Sequence, residues 1–178
     1  MPQNETVFTI GRPKDSEAAP YYFTYINQVK GEDPLSALES QLQECLTLFS
    51  TISEERSLHR YASDKWDIRQ VLNHVSDTER VTAFRAFWFA RGFESSLPSY
   101  DQHVAVASAG ADRISWETHV EEFRRVRLAT LSLFSNIPPE CWAKSGIASD
   151  NHFTVRALAY IVVGHCQHHL GLLRTRYL

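Results

Sequence analysis

Apolar residues recur along this chain at the three- and four-residue spacing of helices. The first such stretch is Leu35, Leu38, Leu42, Leu46 and Phe49. Asp33 supplies an N-cap and Pro34 suits the first helical position, so the spacing predicts a helix from there to about Ser50–Ser53. A second stripe, Ile68, Val71, Leu72 and Val75, follows Asp67, whose partner three positions on is Gln70. That pair forms a capping box with Asp in place of Ser or Thr, and Gly92 marks the far end after about Arg91. Ser115 caps a third stripe of Trp116, Val120, Phe123, Leu131 and Phe134, stopped by Asn136-Ile137-Pro138-Pro139. Thr154 caps the last, whose inward positions are Val155, Leu158, Ala159, Val162, His165, His169, Leu172 and Leu173, running to Tyr177. Four long amphipathic helices with no convincing strand pattern indicate an all-α fold, a four-helix bundle.

The stretches between the helices are less regular. Residues 1–19 carry little periodicity and read as a flexible N-terminal arm, leaving 20–178 as one helical domain. Tyr21 to Ile26 is aromatic-rich and reads as a short helix that packs over the bundle or lines a pocket. The connection from Gly92 to Ile114 is long enough for a crossover and holds one short helical piece, with Asp101 and His103 in it. Residues 140–153 read as irregular, with turn signals at Gly146 and Asp150-Asn151.

At 178 residues, with 43% hydrophobic and 22% charged, the chain suits one soluble domain with a sizeable core. A net charge of -3 argues against binding nucleic acid by phosphate neutralisation. No run approaches a membrane span, and Met1–Thr6 lacks the basic and apolar regions of a signal peptide, so a cytoplasmic protein is expected. Cys45, Cys141 and Cys166 are odd in number and scattered, which speaks against a disulfide framework.

The candidate chemistry lies in the last helix, at Gly164-His165-Cys166-Gln167-His168-His169. His165 and His169 are four apart, so their rings lie one above the other and can bind one metal ion. His168 stands beside them as a spare candidate. A pair at this spacing, taken alone, more often marks satisfied core histidines or a wet helix face. The two continue an apolar stripe, however, and burying bare imidazoles is costly unless each is bonded. His74, on the second helix, offers a third imidazole. Asp77, one turn on, can support a ligand or act as a base, and Asp101 is a similar candidate; each also reads as a solvated carboxylate. Glu121, Glu122, Arg124 and Arg125 read as a solvated face.

Trp66-Asp67-Ile68-Arg69-Gln70-Val71-Leu72-Asn73-His74-Val75 is similar to the W-x-[IV]-x-x-[VL]-x-x-H-[LV] stretch of the DinB-like superfamily. Glu79-Arg80, Ala90-Arg91-Gly92 and Leu97-Pro98-Ser99-Tyr100-Asp101 look like segments of its DinB_2 branch, and Gly164 to His169 resembles its G-H-x-x-H-H signature. The likeness runs from about Arg12 to Tyr177. It implies a bundle of up-down-down-up topology that holds a divalent metal, zinc or nickel, on three histidines. Carried over by position these are His74, His165 and His169, with His168 not expected to bind. Cys166 stands where relatives often have an acidic residue. Relatives of the DinB/YfiT type include S-transferases and isomerases that depend on a low-molecular-weight thiol, and homodimers are common. The family name derives from a DNA-damage-inducible protein and implies nothing direct about DNA.

Two function classes follow. One is a metal-dependent thiol S-transferase or hydrolase acting on a small electrophile, with the metal as Lewis acid. The other is a non-catalytic metal-binding bundle with a structural or stress-response role. An open coordination position separates them, because structural sites are closed by a fourth protein ligand. The lack of paired Glu-x-x-His motifs argues against a di-iron bundle.

Overall fold

The structure is a computed structural model that describes residues 8–178. Its α-helices are α1 (Phe23–Ile26), α2 (Pro34–Phe49), α3 (Ile68–Ala90), α4 (Gln102–Ala109), α5 (Trp116–Ser135) and α6 (Val155–Leu172). The four long ones begin where their caps predict. The side chains of Asp33, Asp67, Ser115 and Thr154 each accept hydrogen bonds from backbone N–H groups of the first turn. The Asp67–Gln70 capping box is complete in both directions. The last helix stops at Leu172, and Leu173–Tyr177 continues as a wider π-helical turn.

Residues 140–153 are not wholly irregular. β1 (Ser145–Ala148) and β2 (Asn151–Thr154) form an antiparallel hairpin with Ala148 opposite Asn151. Its turn places both Ser149 and Asp150 in the left-handed region, at φ 50° and 59°. Four-residue strands of mixed burial leave no alternation long enough to read.

Cross-helix bonds give the topology. Gln41 meets Val163 and Gln167, Cys45 meets Cys166 and Glu44 meets Arg174, so α2 and α6 run parallel. Arg69 reaches the segment before α5 and Glu79 pairs with Arg127 eleven residues into it, so α3 and α5 run parallel. Lys144 bonds the carbonyl of Ala90 while Tyr177 bonds that of Trp66, which sets α3 antiparallel to α6. The order is up-down-down-up, as the resemblance implies. Both α2 and α3 pack against α5 and α6.

The core has two apolar clusters, one around Leu38, Ala86, Phe134 and Leu158, the other around Leu42, Val75, Phe123 and Cys166. A polar layer separates them. Gln41, Glu79 and Arg127 fall between the two clusters on their helices, and all three are buried. Arg127 donates to both oxygens of Glu79, to the carbonyl of Leu38 and to Gln41. Cys45, Cys141 and Cys166 are free thiols, with the sulfurs of Cys45 and Cys166 3.7 Å apart.

The loose arm expected over residues 1–19 lies partly outside the described residues. Over 8–19 it is fastened instead. Glu17 is buried and accepts from Thr154 and Arg156, Arg156 also holds the carbonyl of Ile10, and Arg12 holds three carbonyls around Val29. These are single charged residues with distant partners, so no local pattern announced them. No helix among the described residues is long and apolar enough to cross a membrane.

Candidate metal centre

The capping box starts α3 so that His74 turns inward two turns later. Its Nε2 lies 3.1 Å from Nε2 of His165, and His169 places its own Nε2 3.2 Å from the same atom. The three nitrogens all lie within 4.8 Å of one another, on buried or partly buried rings. Two of the rings are braced from behind. His74 has Trp66 at 5.0 Å between centroids and Thr78 Oγ1 3.4 Å from its Nδ1. His165 meets Tyr25 edge-on at 5.4 Å.

Tyr25 owes its place to Gly164. A Cβ there would lie 2.1 Å from the carbonyl oxygen of Tyr25, so only glycine lets α1 rest backbone to backbone on α6.

Burial holds all three imidazoles neutral. Desolvation lowers the pKa of His74 to about 4, with His103 adding repulsion. It lowers His165 to about 3 and His169 to about 2, each reinforced by neighbouring histidines. Neutral imidazole is the form that binds metal. A ring nitrogen has one proton or one lone pair. His165 Nε2 therefore cannot satisfy two neighbouring nitrogens at once. A divalent cation would accept three lone pairs at this point, so the residues fit one.

A cavity of about 550 Å³ opens over the histidines. His74 and His165 form its floor, Tyr21, Tyr22 and Tyr25 one wall, and Ser99 to His103 another. The aromatic segment thus lines a pocket rather than only covering the bundle. Thr82, Arg85, Ser149 and Phe153 also line it. The sequence reading missed these four, although Thr78, Thr82 and Arg85 follow His74 at helical spacing, which was a usable signal.

His168 packs against Tyr25 at 5.7 Å and is not part of the cluster. Asp101 lines the cavity, but one carboxylate oxygen is spent capping α4 through the N–H groups of His103 and Val104. Asp77 is turned to the neighbouring face, accepting from Asn73 at 2.7 Å and Arg80 at 2.9 Å, and does not line the cavity. His103 is a lining residue near Trp66.

Comparison with known proteins bears on this arrangement. The family model DinB_2, described as the DinB superfamily, matches residues 37–173. No curated protein matches the sequence. The structure of YfiT from Bacillus subtilis is similar, with a TM-score of 0.66 at 14% identity over 92% of this chain and 91% of that one. YfiT is described as "a probable metal-dependent hydrolase with an unusual four-helix bundle topology". At that identity the likeness establishes the shared fold alone.

Proposed function

The chain belongs to the DinB superfamily, and on that footing we propose that it is a divalent-metal-dependent enzyme acting on a small electrophile, with a low-molecular-weight thiol as nucleophile. The observation that carries the reading is the convergence of three neutral imidazoles, two of which, His74 and His165, line an open cavity. Zinc or nickel suits three imidazoles. No fourth protein ligand joins the three among the described residues, which favours a catalytic over a closed structural site.

A bound divalent ion would supply Lewis acidity and lower the pKa of a nucleophile beside it. Three neutral ligands leave its double charge uncompensated, which favours an anionic thiolate. The protein's own contribution is placement. His74, His165 and His169 would hold the ion, Thr78 and Trp66 orient His74, and Tyr25 packs over His165. The tyrosine wall and Phe153 exclude water from one side of the cavity, which strengthens electrostatic effects inside it. Tyr25 stays a neutral phenol, its pKa raised out of reach by burial and by the adjacent Tyr21, so it can donate a hydrogen bond to a reacting group but not serve as a base.

A second reading keeps the site and replaces the thiol with water. It is supported by the description of YfiT as a probable metal-dependent hydrolase. Tag-free protein loaded with zinc or nickel is offered a panel of thiols and electrophiles, and separately hydrolysable esters and amides. Metal-dependent thiol consumption that disappears in His169→Ala is the expected result. Ester or amide cleavage without thiol would select hydrolysis. A fully loaded protein that turns over neither panel would leave the non-catalytic bundle.

A further inference from the structure

Among the described residues three arginines are buried, and two of them hold a carboxylate: Arg127 pairs with Glu79 and Arg69 with Glu54. Arg85 is the exception. It is 9% exposed, yet its only hydrogen bonds among the described residues run from Nη2 to two neutral acceptors, the carbonyl of Pro98 at 3.0 Å and Ser149 Oγ at 2.8 Å. Among the described residues Nε and Nη1 have no hydrogen-bond partner and no carboxylate pairs with this guanidinium. A buried cation without a counter-ion is costly, so a ligand that brings an anion to it is favoured.

The position suits that. His74, Thr78, Thr82 and Arg85 form one face of α3, and all four line the same cavity. Eleven residues of helix separate the first from the last, about 16 Å along the axis. The two bonds from Nη2 fix the guanidinium to the loop before α4 and to the hairpin turn. The N–H groups left on Nε and Nη1 remain able to donate charge-assisted hydrogen bonds to an anion. Between the ends, Phe153, Leu158 and Ile161 supply apolar lining.

The geometry points to a substrate that carries a carboxylate: the acid group bound by Arg85, an apolar body against Phe153, Leu158 and Ile161, and the reacting group at the histidines. This rests on the enzymatic reading above for the reacting end only; the anion subsite stands on Arg85 itself. One cation fits a single negative charge, which favours carboxylate over phosphate.

The test is calorimetric binding of hexanoate and of its neutral isostere hexanamide to the full chain, with chelator and with added zinc. The acid should bind the wild type about tenfold tighter than the amide under both conditions. In Arg85→Met that preference should vanish while hexanamide affinity stays within about twofold, showing an intact cavity. Arg85→Lys should retain part of the preference, which keeps the test decisive should the Met variant fold poorly. Equal binding of acid and amide to the wild type overturns the assignment. So does a preference that survives in Arg85→Met, or one that requires zinc, which would place the acid on the ion. Arg85-dependent binding of inorganic phosphate tighter than hexanoate overturns the carboxylate class. Because binding is read without zinc as well, a failure of the metal reading would show separately.

Discussion

Gly164 of α6 lies so close to Tyr25 of α1 that a Cβ on the glycine would sit 2.1 Å from the tyrosine's carbonyl oxygen and 2.5 Å from its carbonyl carbon. Tyr25 in turn packs on His165, the residue after Gly164. Gly164→Ala therefore tests whether this contact builds the site. Helix propensity favours alanine by about 1 kcal/mol. A backbone clash of this depth opposes it with about 1–3 kcal/mol, and the clashing atoms cannot rotate away. Net destabilisation in urea unfolding is expected, with weaker metal binding. A variant more stable than the wild type would mean that α1 shifts without cost.

The three-histidine centre predicts that His74→Ala lowers the metal content of tag-free protein sharply, and that His74→Ala combined with His165→Ala abolishes it. Asp77→Ala should leave it unchanged, because Asn73 and Arg80 hold that carboxylate outside the cavity. Binding should also raise stability, by about 2.7 kcal/mol at a free metal concentration 100 times Kd. Elemental analysis and melting curves with and without metal check both. Full occupancy in the double variant would refute the ligand set.

Acid should destabilise the metal-free protein early. The unfolded histidines take up protons near pH 6.5, while in the folded state His74 does so only at about 4, His165 at about 3 and His169 at about 2. Between these values the folded state binds fewer protons, so stability is fully present above about pH 6.5 and is lost as pH falls toward 4. Each histidine contributes at most about 1.4 kcal/mol per pH unit in that window. Urea midpoints of chelator-treated protein across this range should fall, and fall less steeply in His74→Ala. A flat profile would show that the rings are hydrated.

The polar layer predicts strong coupling between α3 and α5. Glu79→Leu alone leaves Arg127 buried without its carboxylate and should cost about 3–5 kcal/mol. Adding Arg127→Met removes the stranded charge, and the double variant should recover most of that loss. A double-mutant cycle by urea unfolding measures it. Additive single effects would contradict the observed bidentate pairing.

Much of this protein was legible in one dimension because the signals involved are local. Asp33, Asp67, Ser115 and Thr154 cap helices within their own first turns, so spacing alone placed the four long helices. The i, i+4 relation put His165 and His169 on one face for the same reason. The third candidate ligand was different. His74 is 91 residues from His165, and only the resemblance tied it to the pair before the fold brought their Nε2 atoms to 3.1 Å. Nothing local marked Arg127 as buried either, since an arginine three residues from Arg124 on an amphipathic helix reads as surface until the partner helix supplies Glu79. Arg85 is the same case without a partner: its distance from carboxylates depends on the loop at Pro98 and the turn at Ser149. Periodicity and capping are short-range and survive in sequence. Whether a charge is paired, stranded or aimed into a cavity depends on residues dozens of positions away, and only the packed bundle decides that.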